Sequence, residues 1–246
     1  MVRLMWGNNS HQWAAQLSRG AAGGMLTVWD DSKIRVDDIL ILKYSVTIKC
    51  VFLQNGFECI LTNVYGPADE ILHHSKDFWE ELDEVRRKWS DVPWCLGGDF
   101  NCIFFVAEKN RNKRSTTHIK LFDSFMRRHG LFDLPLLGGC FTWSSMRGEA
   151  TLTRIDRFIF SGDWEDQFPK ATQHLLRRNL SDHHPISLRG GGIQFGPYPF
   201  RFENFLLKDE DFLVHLKDWW QNMNFSGSAS FVFSKKLQEL KILLKC

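Results

Sequence analysis

The 246-residue chain has almost no charge of one sign in excess: 31 Lys and Arg oppose 29 Asp and Glu, for a formal net charge of +2. That balance excludes a global basic field for gathering nucleic acid, so any such binding has to come from local patches. Cys-x-x-Cys pairs are also lacking. The six cysteines, Cys50, Cys59, Cys95, Cys102, Cys140 and Cys246, read as buried thiols of a reducing compartment, not as a disulfide framework or a zinc site. Met1 to Ser10 holds no uninterrupted apolar run, so no secretory signal is expected. The most apolar stretch, Ile39 to Leu53, is interrupted by Lys43 and Lys49 and is too short and too charged to cross a bilayer. There is no internal repeat.

What the chain does have is aromatic bulk. Its 10 Trp and 21 Phe are enough to build a sizeable core. The length suits one large domain or two small ones. Met25 to Trp29 reads as a strand. Ile39 to Leu53 and Phe57 to Tyr65 flank Asn55-Gly56, which predicts a β-hairpin. Ser75 to Trp89 places Phe78, Trp79, Leu82, Val85 and Trp89 at helical spacing, and Thr117 to His129 repeats the pattern with Gly130 as a stop. Trp94 to Leu96, Ile155 to Phe160 and Ile186 to Leu188 are further short strands. Helices separating β-rich hairpins, without regular βαβ alternation, predict packed sheets flanked by helices, an α/β (α+β) class. Gly190-Gly191-Gly192, Gly196-Pro197 and Pro199 look like a linker, followed by two helices over Asp209 to Trp220 and Ser234 to Lys245. The expected organisation is a domain over 1–190, a linker over 191–200 and a helical tail over 201–246.

Four clusters carry groups suited to phosphate chemistry. Gly97-Gly98-Asp99-Phe100-Asn101 follows a buried strand, and its glycines permit close backbone approach. Thr153-Arg154-Ile155-Asp156-Arg157 leads into another strand. Ser181-Asp182-His183-His184-Pro185 puts an imidazole beside a carboxylate, an arrangement that suits a protonated His donating to a phosphoryl oxygen. Val64-Tyr65-Gly66-Pro67 closes a strand. Taken singly, each has an ordinary structural reading: an Asx turn, an Arg/Asp pair at a strand edge, a turn with a core histidine, a strand end with a turn.

In this order, together with Gly139 to Ser144, the clusters resemble the endonuclease/exonuclease/phosphatase superfamily, also called deoxyribonuclease I-like, over roughly Gly23 to Leu188. Ala22-Gly23-Gly24, Val28-Trp29-Asp30, Pro93-Trp94-Cys95, Asp133-Leu134-Pro135-Leu136 and the tail Phe200 to Asn204 with Trp219-Trp220 are similar to plant non-LTR (LINE-type) retrotransposon endonucleases. The resemblance implies a two-sheet β-sandwich flanked by helices, a four-layer arrangement. It also implies Mg²⁺- or Mn²⁺-dependent hydrolysis of DNA phosphodiesters in the nucleus, with DNA met at its phosphate backbone and no membrane partner. In such polyproteins the tail leads to a reverse transcriptase.

The resemblance assigns roles position by position. Asp99 positions and helps deprotonate the attacking water, and Asn101 orients that water or the phosphate. His183 stabilises the transition state, and Asp156 holds the His183 ring. Asp182 sits by the metal or the leaving group, with Asp99 as the other metal-side carboxylate. Tyr65 reaches the scissile phosphate. Thr142 and Trp143 support the site or pack near DNA. His184 is set aside, because neighbours in an extended segment point opposite ways. Arg177 and Arg178 beside the Ser181 motif are candidate DNA-backbone contacts. For Lys109, Arg111, Lys113 and Arg114, a solvated loop is at least as good a reading.

Two departures stand out. Relatives begin with a strand-helix-strand unit that supplies an Asn and a metal-binding Glu, and nothing before Val2-Arg3-Leu4-Met5-Trp6-Gly7 can supply them. The expectation is an N-terminally truncated domain with impaired metal binding and weak or absent nuclease activity. Ala68 stands where many relatives carry an Asn. Two other readings remain open: a non-catalytic DNA- or protein-binding remnant, and a phosphatase or deadenylase of the same superfamily.

Overall fold

The computed structural model describes residues 11–18, 24–68, 71–111, 116–146, 148–178, 181–191, 210–227 and 229–244. The Trp6-Gly7 stretch, Ala21 to Gly23, Lys113, Arg114, most of the glycine-rich linker and the Phe200 to Asn204 motif lie outside these residues. The chain divides into two compact units, 1–194 and 195–246.

In the first unit the strands are β1 (His11–Gln16), β2 (Met25–Asp30), β3 (Ile34–Ile41), β4 (Ser45–Phe52), β5 (Glu58–Tyr65), β6 (Trp94–Asp99) and β7 (Leu131–Asp133). They continue as β8 (Leu136–Leu137), β9 (Trp143–Ser144), β10 (Leu152–Thr153), β11 (Asp156–Ser161), β12 (Thr172–Leu175) and β13 (Ile186–Arg189). The helices are α1 (Leu72–Lys88), α2 (Thr116–Arg128) and the short α3 (Gly162–Gln167).

Among the described residues, the main sheet runs β3-β4-β5-β6-β11-β7. Alternation with a period of two explains its central position. In β5, Ile60 and Val64 face one cluster while Cys59 and Leu61 face another. A strand apolar on both sides has to be covered on both sides. The first face is covered by α1 and α2. Phe78, Trp79, Leu82 and Val85 recur on one face of α1, and Phe122, Phe125 and Met126 on one face of α2, and all join Ile60, Val64, Trp94, Leu96 and Ile159. Gly130 ends α2 at φ +58, the left-handed conformation that favours glycine at a helix stop.

On the second face, Trp29, Phe168 and Leu188 pack against Ile34, Ile48, Cys50, Cys59 and Trp164. They come from the β1-β2 hairpin, the α3 end and a second sheet ordered β13-β12-β8. The α/β two-sheet class expected from the sequence is the class found. No helix among the described residues is long and apolar enough to cross a membrane.

The run Ile39 to Leu53 is not one strand but parts of two. It turns at Leu42 to Tyr44, where the Glu81 carboxylate of α1 accepts the backbone N–H groups of Lys43 (3.0 Å) and Tyr44 (2.9 Å) and the Ser45 hydroxyl (2.7 Å). The turn is held by a group 36 to 38 residues away, so local sequence does not announce it. The second half does pair with β5 around Asn55-Gly56. In the second unit, α4 (Glu210–Asn222) and α5 (Ala229–Leu243) form a helical pair in which Trp220 meets Phe233 edge-on at 5.9 Å.

Candidate active site

Sheet register brings three of the candidate residues into one row. Tyr65 ends β5 opposite Asp99 at the end of β6, and Asp99 lies opposite Asp156 at the start of β11. Directly opposed residues on neighbouring strands project to the same side. The close approach of β5 and β6 depends on Gly98. Its φ is +143, and a Cβ there would run into the Val64 carbonyl oxygen.

Beyond Asp99 the chain makes an Asx turn. Asp99 Oδ1 accepts the Asn101 backbone N–H at 2.8 Å, and Asn101 adopts φ +50, a conformation that Asn tolerates. Asn101 Nδ2 donates to the Gly66 carbonyl at 2.9 Å. The structural and the functional readings of this cluster therefore describe the same atoms: the turn fixes Asp99 with its second oxygen facing the cleft.

His183 completes the row. Its Nδ1 lies 2.9 Å from Asp156 Oδ2, and its Nε2 lies 3.9 Å from Asp99 Oδ2. Asp182 accepts the Trp143 indole N–H at 2.8 Å. The next imidazole turns away, with His184 Nδ1 at 3.1 Å from the Leu176 carbonyl.

Thr142 is fully buried, so its side chain does not fit a direct DNA contact and takes the supporting place instead. Its hydroxyl accepts the backbone N–H groups of Ile155 and Asp156, both at 3.0 Å, and its carbonyl accepts the His184 N–H at 2.6 Å. One residue thus ties the start of β11 to the His183 loop. Trp143 lines the cleft and spends its indole N–H on Asp182. Arg177 is exposed and Arg178 half-buried, and neither lines the cleft. Lys109 does line it, whereas Arg111 pairs with Glu149 at 2.6 Å.

Residue types alone did not reveal what lies beneath. Arg157 is fully buried, 2.9 Å from Glu108 and 2.8 Å from Asp133, and Arg154 pairs with the same two carboxylates. Instead of an edge pair, the Arg-Ile-Asp-Arg segment anchors an internal ion network. The sequence offers no local signal for it, because the partners are 21 to 49 residues away.

The electrostatics follow from burial and neighbours. Burial, then the charges of Asp156 and Asp182, pushes the Asp99 carboxyl up to about 7. The hydrogen bond to Asp156 holds His183 above the usual imidazole value. The Trp143 indole holds Asp182 below the usual carboxylate range. Burial raises the Tyr65 phenol. The groups open onto a cleft of about 550 Å³ whose lining includes Tyr65, Asp99, Asn101, Trp143, Asp182 and His183, together with residues of α1 and α2.

Asp99, Asp156 and His183 each bring one potential ligand atom to within 4.8 Å of the others; Asp182 is outside that group. A buried carboxyl driven up by neighbouring negative charge is one that a cation would relieve. A hard cation such as Mg²⁺ can be held by one or two carboxylates, with waters and substrate phosphate filling its shell. The oxygen donors present fit that description, while His183 Nδ1 is already engaged by Asp156.

The chain is similar to known proteins in family and in fold. The family model described as "Endonuclease/Exonuclease/phosphatase family" matches residues 8–183. The Transposon TX1 uncharacterized 149 kDa protein of Xenopus laevis is 27% identical over 177 residues, covering 68% of this chain. The match spans only 13% of that protein's length. The endonuclease domain of TRAS1, a telomere-specific non-LTR retrotransposon, superposes with a TM-score of 0.56 at 15% identity, covering 74% of this chain and 81% of that one. An endonuclease/exonuclease/phosphatase from Bacteroides vulgatus gives a TM-score of 0.51 at 11% identity, covering 76% and 77%. These structures share the fold.

Proposed function

The chain belongs to the endonuclease/exonuclease/phosphatase family, and from that premise we propose that its cleft hydrolyses phosphodiester bonds of DNA, as a retroelement target-nicking endonuclease does. The observation that carries this reading is the line Asp156, His183, Asp99: an imidazole held at Nδ1 by one carboxylate while its Nε2 faces another. The transposon origin of the Xenopus relative favours DNA as substrate.

Each residue has a defined task in this reading. Asp99, the carboxylate facing His183 Nε2, accepts a proton from the attacking water. Asn101 and Tyr65 orient the phosphate. His183, protonated and aligned by Asp156, donates to a phosphoryl oxygen as charge builds there. Asp182 serves the leaving-group side. A divalent cation, Mg²⁺ or Mn²⁺, held by Asp99, with Asp182 reaching it from outside the Asp99–Asp156–His183 group, would offset charge on the phosphate and the departing oxygen. Arg177, Arg178 and Trp143 are the proposed contacts to the flanking backbone, and the two guanidinium groups would make binding salt-sensitive.

The test is nicking of supercoiled plasmid by the purified chain in Mg²⁺. Nicking that falls at least a hundredfold (roughly the scale of a lost catalytic group) in Asp99→Ala and His183→Ala supports the proposal. Salt-sensitive DNA binding in EDTA without any nicking in Mg²⁺ would replace it with a binding remnant. Hydrolysis confined to phosphate monoesters would replace it with a phosphatase.

A further inference from the structure

The cleft is larger than the reaction needs. At about 550 Å³ it lies within the ~300–1,000 Å³ of sites that enclose a whole small ligand, so a scissile phosphate does not fill it. The reacting groups come from strand ends and loops. Of the lining residues contributed by helices, Phe78 and Trp79 are buried core, and the polar ones are Ser75 of α1 and His118 of α2. These two meet: Ser75 Oγ is 2.8 Å from His118 Nδ1.

That contact has a directional consequence. Nε2 is then the ring nitrogen that meets a ligand, and it carries the proton, as a donor, in the tautomer whose Nδ1 accepts the Ser75 hydroxyl. The pair rides on a rigid base, because α1 and α2 are packed together through Trp79, Phe122 and Phe125, with ring centroids 4.8 to 4.9 Å apart. The cleft's two carboxylates among its described lining, Asp99 and Asp182, belong to the reacting row. The carboxylates that α1 and α2 carry, Asp77, Glu80, Glu81, Asp83, Glu84 and Asp123, are not among the cleft's lining residues, so the helix-borne lining brings no carboxylate to repel an anion.

We propose that Ser75 and His118 form a second subsite of the cleft that binds the phosphate of a nucleotide flanking the scissile bond. His118 Nε2 donates to a non-bridging phosphate oxygen, and Ser75 is a positioning residue that fixes the imidazole. This rests on the phosphodiesterase reading and adds to it that the substrate is a strand, not an isolated diester.

The experiment compares an oligonucleotide with bis(p-nitrophenyl) phosphate, a diester with no flanking phosphate. Binding of a fluorescent oligonucleotide is measured in parallel in EDTA. In His118→Ala the ratio of kcat/KM for the oligonucleotide to that for the small diester falls roughly tenfold, the scale of one hydrogen bond to a charged group, and the loss lies in KM. Oligonucleotide affinity in EDTA falls by a similar factor. Ser75→Ala shifts both in the same direction by less, and His118→Gln restores part of the loss. An equal fall on both substrates, or unchanged affinity in EDTA with a normal unfolding midpoint, overturns the subsite. If no Asp99-dependent cleavage is seen but His118→Ala weakens binding in EDTA, the catalytic reading fails and the subsite stands.

Discussion

Asp156 grips His183 by the nitrogen that faces away from the cleft, at 2.9 Å, and so presents the opposite nitrogen to Asp99. The same hydrogen bond raises the His183 pKa. If a protonated His183 is required, activity falls as pH rises through its elevated pKa. Asp156→Asn removes the main cause of that elevation. The alkaline limb of the pH–rate profile should then move to lower pH, with kcat reduced by roughly 10–100-fold, the usual cost of losing such a partner. An alkaline limb that does not move would show that His183 is not the group titrating there.

Asp99 makes the complementary prediction for stability. Its folded-state pKa of about 7 exceeds the usual 3.8, so folding takes up a proton between these values. The associated stability is complete below about pH 4 and is lost as pH rises through 7. Asp99→Asn cannot ionise and escapes this loss. In EDTA, the variant's unfolding midpoint should gain on the parent's between pH 4 and 8, by several degrees for a penalty on the order of a few kcal/mol. A difference that stays constant across that range would refute the buried-carboxyl account.

Arg157 tests the ion network under the site. It serves Glu108 and Asp133 at once from a fully buried position. Arg157→Met leaves two buried carboxylates facing Arg154 alone, a loss of about 3–5 kcal/mol by precedent for broken buried pairs. The midpoint should drop on the order of 10 °C at neutral pH. Arg157→Lys keeps the charge but not the two-sided fork, so it should recover only part. A wild-type midpoint in Arg157→Met would mean that the network contributes nothing net.

What the sequence disclosed and what it hid divide along one physical line. Asp99 and Asp156 sit at strand ends, Asn101 in the turn after β6 and His183 in the loop before β13; this local turn chemistry and their order along the chain made them legible as candidates. The hairpin of β4 and β5 was legible from Asn55-Gly56. The break at Leu42 to Tyr44, the Glu108–Arg157 network and the Ser75–His118 pair were not, because each is made by partners 36 to 49 residues apart. Periodicity reports which face a residue occupies, not which distant group it will meet there. The expected shortage of metal ligands is read by titrating Mg²⁺ in the nicking assay.

Thr142 offers the sharpest test of how that distant assembly is held. Its hydroxyl is the shared acceptor for two backbone N–H groups, those of Ile155 and Asp156, and its own carbonyl takes the His184 N–H. Thr142→Val is nearly isosteric, so packing is kept while two buried donors lose their partner, at roughly 1–3 kcal/mol each. The unfolding midpoint should fall by several degrees. Because the freed segment begins with Asp156, the grip on His183 loosens too, and kcat should fall more than KM rises. Thr142→Ser keeps the acceptor and should restore both. If Thr142→Val lowered the midpoint but left kcat intact, the tie would serve the fold alone. If it changed neither, the two N–H groups would have found another acceptor, and the alignment of Asp156 would have to be credited to β11 itself.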